Sequence, residues 1–208
     1  GYKKVFSTAV CKAVKIITPS EFVKKHLTQG WCDDGKKIIV THEAVEERLL
    51  KLIKQPGEND FDKLTAKFNI KKPYLFYVGN AHPHKNITVL ISVFEKIREK
   101  FPEYSLVLSG PDRHFWQQIE KNSHTRGVIF TGFVFEKGLV TLYKNALAFI
   151  MPSLEEGFGI PLLEAMACGC PVVSSNAASL PEVGGDACLY FDPQNKVEMV
   201  EKISLLIT

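Results

Sequence analysis

Glu156 and Glu164 bracket a short glycine-containing stretch, Glu156-Gly-Phe-Gly-Ile-Pro-Leu-Leu-Glu164, which follows an apolar run ending near Met151. Pro161 suits the start of a helix, and Gly169 followed by Pro171 suits its stop, so the stretch predicts a strand, a glycine loop and a short helix. Glu156 then projects from the loop at the strand's C-terminal end, and Glu164 falls early on the helix. Gly157 and Gly159 let a ligand approach the backbone and meet its N–H groups, while the helix N-terminus adds partial positive charge. Such a site suits a phosphorylated, hydroxyl-rich ligand. Two solvated glutamates beside an ordinary tight turn would have the same residues. The spacing favours the site, because it spans a strand-to-helix crevice of the kind where open α/β sheets bind ligands.

A second glycine turn between a strand and a helix is Val78-Gly-Asn-Ala-His-Pro-His-Lys-Asn86. It delivers Lys85 and Asn86 at a helix start, where a lysine acts as a point-charge phosphate clamp or is merely solvated. His82 and His84 have no carboxylate or third histidine nearby in sequence, and Cys168 and Cys170 have no second pair at zinc-finger spacing, so no metal site is expected. The GxGxxG fingerprint and the Walker A motif are both absent, which removes the usual markers of hydride transfer and of P-loop phosphoryl chemistry.

The elements that must carry these loops alternate. Strands are predicted at Tyr74–Gly79, Tyr104–Ser109, Val128–Thr131, Leu147–Met151, Val172–Ser175 and Cys188–Phe191. Ile87, Leu90, Ile91, Phe94, Ile97 and Phe101 follow a helical repeat, with Asn86 where an N-cap belongs. Further helices fit Phe61–Phe68, Arg113–Asn122, Lys137–Asn145, Pro161–Cys168 and Lys196–Leu206. The pattern is an α/β fold, a Rossmann-like parallel sheet with helices on both faces. Residues 1–43 add a smaller α/β piece: strand Val14–Thr18, helix Ser20–Leu27 capped by Ser20, and strand Lys37–Thr41. This piece cannot close a core alone, and Gln55–Asp60 reads as a loop. A domain boundary is placed near residue 43, leaving 44–208 as the second domain.

The 208 residues are 45% hydrophobic, 24% charged and 11% aromatic, which excludes a disordered or fibrous chain. The net charge of +3 is too small to imply a nucleic-acid partner. The whole excess lies in residues 1–60, which hold 11 basic and 8 acidic side chains. That region permits a peripheral contact with anionic lipid, although three charges supply little attraction. Five cysteines, Cys11, Cys32, Cys168, Cys170 and Cys188, make an odd set, and a reducing, cytoplasmic setting without a disulfide framework is expected. No apolar run reaches the ~18–20 residues of a membrane span. The chain opens on Gly1 rather than Met, as a trimmed piece of a longer protein would.

EGFGIPLLEAMACGCPVV, YVGNAHPHKN and VIFTGFVFEKGLVTLYKNALAFIMPSLEEGFG closely resemble the C-terminal, donor-binding domain of the retaining GT-B glycosyltransferases of glycosyltransferase family 4, across roughly residues 70–208. Residues 7–45 resemble the last strand–helix–strand of that family's N-terminal domain and the crossing to the second. The resemblance implies a nucleotide-sugar substrate, with no cofactor and no metal, and a glycan or lipid-linked acceptor bound mostly by a half that this chain lacks. It makes Lys85 and Glu156 the catalytic pair. Lys85 holds the diphosphate with the amides of Gly157, Phe158, Gly159 and Ile160, Glu156 contacts the donor sugar, Glu164 takes the ribose hydroxyls, and Gly132, Phe133 and Val134 border the nucleobase. Gly79 and Asn80 form the turn at the diphosphate. Many relatives carry Arg where this chain has Asn80, which removes one charge from the clamp. The Asn form with HPHKN looks most like mannosyltransferase-type members, favouring GDP-mannose over UDP-sugars. A glycosidase use of the two carboxylates is discounted, because a nucleoside diphosphate leaves without strong protonation. A GT-B epimerase relative and a nucleotide-sugar-binding domain without turnover are the alternatives.

Overall fold

The computed structural model describes residues 1–31, 35–55, 60–111 and 114–207. Helix α1 (Tyr2–Lys12) leads to β1 (Ile16–Thr18), α2 (Glu21–Gly30) and β2 (Ile38–Val40). The two strands pair in parallel, Ile16 opposite Ile38, so α2 is the crossover of a small βαβ unit. Ser20 caps α2 as predicted, its hydroxyl accepting from the Val23 N–H. Ile17 and Ile39 remain exposed, as expected of a two-stranded sheet that cannot bury both faces. Residues 41–46 carry no regular structure and run into α3 (Glu47–Ile53) and α4 (Asp60–Phe68).

The main body alternates strand and helix: β3 (Tyr74–Val78), α5 (Ile87–Lys100), β4 (Ser105–Ser109), α6 (His114–Asn122), β5 (Val128–Gly132), α7 (Glu136–Asn145), β6 (Ala148–Met151), α8 (Ile160–Ala167), β7 (Val172–Ser175), α9 (Leu180–Gly184), β8 (Leu189–Phe191) and α10 (Lys196–Ile207). Its six strands lie in the order β5-β4-β3-β6-β7-β8, all parallel. Alternate residues of each strand go to opposite faces. Leu75, Tyr77, Leu106, Leu108 and Ile150 join Leu90, Phe94 and Ile97 of α5 and Met199 and Ile203 of α10. Tyr74, Phe76, Val107 and Phe149 join Val140 and Tyr143 of α7 and Leu162 of α8 on the other face. Both faces are therefore covered, which is why these strands read as continuous apolar runs rather than as an alternation. The Rossmann-like fold class predicted from sequence is the one observed.

Predicted element ends agree to within one to three residues. Three helices were not foreshadowed, α1, α3 and α9. None of them shows a capping side chain, and Val10 of α1 and Leu49 of α3 are those helices' only buried apolar residues among those described. Cys32, Arg113 and residues 56–59 of the predicted loop lie outside the described residues. Cys11, Cys168, Cys170 and Cys188 are free thiols. Burial pushes the Cys168 thiol up to about 11 and Cys170 to about 12, so both behave as small apolar core residues. No helix among the described residues is long and apolar enough to cross a membrane.

Candidate active site at the switch point of the sheet

The chain runs outward from β3 through β4 to β5, and outward from β6 through β7 to β8 in the opposite direction. β3 and β6 are neighbours, so the loops after them diverge and leave a crevice at the carboxyl end of the sheet. This is the topological switch point, where open α/β sheets bind ligands. The two glycine turns singled out in the sequence are those two loops.

Several bonds tie one loop to the other. The Leu154 N–H donates to the His84 carbonyl at 2.7 Å. Asn86 has φ 60° and makes no capping bond. It fills the N-cap position of α5, but its side-chain amide donates to the Pro152 and Pro193 carbonyls, each at 3.1 Å. Asn86 thus stands at the N-cap position expected of it, but in the left-handed conformation its side chain turns away from the helix and braces two loops instead. Between the loops Lys85 Nζ donates to Glu156 Oε1 at 2.7 Å and Oε2 at 2.8 Å, and the Ser153 hydroxyl donates to Oε1 at 2.6 Å. The Lys85 and Glu156 side chains are only 15% and 10% exposed, so this is a largely desolvated ion pair at the floor of the crevice.

Gly157, Phe158 and Gly159 lead into α8, with Gly159 at the N-cap in a left-handed conformation (φ 113°, ψ 46°). A side chain there would also meet Leu180 Cδ2 at 2.7 Å, so the position demands glycine for both reasons. Pro161 occupies the second helical position. Glu164 stands on the second turn of α8, and the Tyr143 hydroxyl of α7 donates to its Oε2 at 3.0 Å. Burial raises the Glu164 carboxyl above the ordinary carboxylate range, the Tyr143 bond pulls it back, and Glu136 and Glu46 push it up further.

The remaining predicted residues line the same end of the sheet. Gly79 donates to the Ser109 carbonyl at 3.0 Å and accepts from Trp116 Nε1 at 3.2 Å. Asn80 turns inward on its own loop: its Oδ1 accepts from the His82 N–H at 3.2 Å and its carbonyl accepts from the Tyr77 hydroxyl at 2.9 Å. Gly132 ends β5, two strand spacings or ~10 Å from β3. Phe133 beyond it is 62% exposed and meets Phe135 edge to face at 5.1 Å, whereas Val134 is buried in the core. His82 and His84 stack with centroids 5.9 Å apart, and no cluster of three metal-ligating side chains exists among the described residues.

Sequence reasoning missed Ser153, Tyr143, Ser179 and the second contact of Ser20. The Ser20 hydroxyl, besides capping α2, donates to the Gly157 carbonyl at 2.7 Å. Glu182 accepts from the Glu21 and Phe22 N–H groups at 2.9 and 3.2 Å and lies 2.9 Å from His42 Nε2, which seats the start of α2 against the glycine loop. Only the S-x-x-E spacing of Ser153 and Glu156 carried any local signal. Chemically, the loop amides before α8, the Lys85 ammonium and the Glu156 carboxylate, with Glu164 on the helix that the loop leads into, are groups of the kind that suit an anion carrying hydroxyl groups.

Residues 58–208 match the family described as glycosyl transferases group 1. O-antigen chain mannosyltransferase B of Escherichia coli is 42% identical over an alignment of 199 residues that covers 93% of this chain and 51% of that protein. Among solved structures, the sucrose-phosphate synthase of Thermosynechococcus elongatus superposes with a TM-score of 0.80 at 23% identity, over 98% of this chain and 51% of that one. The Anabaena protein Alr3699/HepE, solved in complex with UDP and glucose, gives 0.78 at 21%, over 96% and 55%. The chain thus spans about half the length of these proteins. Its sheet, its switch-point loops and its sequence agree on one assignment: the chain belongs to the group 1 glycosyl transferases, as the C-terminal half of a GT-B fold.

Proposed function

We propose that residues 44–208 form the donor-binding domain of a retaining, metal-independent glycosyltransferase that moves mannose from GDP-mannose to a glycan or lipid-linked acceptor, with residues 1–43 closing the preceding acceptor domain. The reading is carried by one observation: the Lys85 ammonium, on the loop after β3, is bound to Glu156, the residue immediately before the glycine loop that leads into α8. The 42% identity to a protein named as a mannosyltransferase supports the choice of sugar.

Breaking the anomeric bond of a nucleotide sugar leaves negative charge on the diphosphate and positive charge on the sugar. The ammonium of Lys85, with three protons to share, and the amides of Gly157 to Ile160 are fixed before the reaction and hold the diphosphate more strongly as it departs. They neutralise the negative charge that a divalent cation would otherwise balance. Glu156, held by Ser153, lies beside the sugar as positive charge develops at the anomeric carbon. Glu164 receives the ribose hydroxyls in its ionised form, and the backbone of Gly132, Phe133 and Val134 borders the base about two strands away. Gly79 lets the turn after β3 pass close to the diphosphate, and Asn80 shapes that turn.

Calorimetric titration of this chain with GDP, UDP and ADP tests the reading. GDP is expected to bind most tightly. Stronger binding of UDP would replace the donor, and absence of binding by all three would remove the nucleotide-sugar function.

A further inference from the structure

Ser20, Ser153, Ser175 and Ser179 are all fully buried, and their hydroxyls converge on one loop. Ser175 donates to the Ser153 carbonyl at 2.6 Å, and Ser153 to Glu156 Oε1. Ser179 lies 3.0 Å from the Glu156 carbonyl and 2.9 Å from that of Phe158, while Ser20 donates to the Gly157 carbonyl between them. Two hydroxyls thus lie against three consecutive carbonyls, the single Ser179 proton being shared between the first and the third. In a trans peptide the C=O of one residue and the N–H of the next point in opposite directions. The peptide bonds here are trans, so holding the carbonyls of residues 156, 157 and 158 turns the N–H groups of Gly157, Phe158 and Gly159 the other way. Those three N–H groups have no acceptor among the described residues.

The loop has no rigidity of its own to keep that orientation. Gly157 and Gly159 flank Phe158 and make rotation of either intervening peptide plane inexpensive. A rotated plane would turn a carbonyl oxygen toward the crevice and against a bound phosphate. We propose that Ser20 and Ser179 are positioning residues that select the anion-binding orientation of the 157–159 amides, so that a side chain of the small N-terminal βαβ unit is part of the phosphate site. The inference rests on the donor reading given above and adds to it the residues that set the loop. Glu182 is what keeps Ser20 in place, through the first two N–H groups of α2.

The test is the affinity of the 208-residue chain for GDP in Ser179→Ala, Ser20→Gly and Ser20→Thr variants. Ser179 stands at the N-cap of α9 but makes no capping bond there, so its replacement by Ala removes only the two carbonyl contacts. Ser20→Gly keeps a residue type that caps helices nearly as well as serine, so the start of α2 is retained. Ser179→Ala and Ser20→Gly are each expected to weaken GDP binding about fivefold to tenfold. Each variant also leaves a buried carbonyl without its donor and should lower the thermal midpoint, whereas Ser20→Thr, which keeps the hydroxyl, should retain the parent's GDP affinity. Unchanged GDP affinity in Ser179→Ala and Ser20→Gly, with a parent chain that binds GDP, overturns the positioning role and leaves the donor reading intact. A parent chain that binds none of GDP, UDP and ADP overturns both. If Ser20→Gly does not fold, Ser179→Ala decides alone.

Discussion

Lys85 Nζ sits 2.7 Å from one carboxylate oxygen of Glu156 and 2.8 Å from the other, joining the loops that follow β3 and β6. Because the pair is largely desolvated, removing one partner strands the other. Lys85→Ala is expected to cost about 3 kcal/mol of folding stability, whereas Lys85→Met combined with Glu156→Gln recovers most of it. Urea denaturation reads this difference. In the same variants GDP affinity should fall by about 1–3 kcal/mol and stay low in the double variant, because the charge that meets the diphosphate is gone. Full binding by the double variant would show that Lys85 does not hold the nucleotide.

Glu156→Ala in the full-length enzyme is expected to lower turnover much more than nucleotide affinity, since its proposed contact is to the sugar as charge develops. Steady-state kinetics beside calorimetry separates the two. Equal losses in both would make Glu156 a binding residue only.

Glu164 is held above the ordinary carboxylate range by burial, so the folded chain retains a proton there that the unfolded chain has released. The sign follows: its contribution to stability is greatest at low pH and declines as pH rises through the raised value. Affinity for a nucleotide whose ribose hydroxyls donate to the ionised carboxylate should instead increase over the same rise. Tyr143→Phe removes the bond that favours ionisation and should move both profiles to higher pH, while Glu164→Gln should flatten them. Identical GDP affinity profiles in the parent and Glu164→Gln would remove Glu164 from the site.

Glu182 behaves in the opposite sense. Burial pushes its carboxyl up, but the N–H groups of Glu21 and Phe22 and the contact with His42 outweigh it and leave the carboxyl lowered. The stability it contributes is present above the ordinary carboxylate range and is lost as pH falls through the depressed value. Glu182→Ala should cost about 1–3 kcal/mol near neutrality, from loss of hydrogen bonds to a charged group. Denaturation midpoints at neutral and acidic pH, which should converge for parent and variant at low pH, check it.

Gly110, directly after β4, leaves no room for a side chain. A Cβ there would collide with the Gly79 carbonyl oxygen and with the indole nitrogen of Trp116. Gly110→Ala should therefore destabilise the chain by about 2–4 kcal/mol and weaken GDP binding by displacing the turn after β3. A stability equal to that of the parent would mean that β3 and α6 can separate at no cost.

Local patterning along the chain suffices for the alternation of strand and helix, the parallel sheet and the two loops that carry the candidate site. Apolar runs such as Tyr74–Val78, the helical repeat of Ile87 to Ile97 and the punctuation by Pro161 and Gly169 are local signals, set by side-chain hydrophobicity and backbone preference. The tertiary structure alone decided which loops meet. Lys85 and Glu156 are 71 residues apart, and only the reversal of strand order between β3 and β6 makes them partners. The same holds for Ser20 and Gly157, 137 residues apart, for Tyr143 and Glu164, and for Asn86, whose residue type suggested a cap but whose partners lie on two other loops. A side chain's local preference is written in its neighbours along the chain, while a buried polar group's partner is whatever the packed fold brings within about 3 Å.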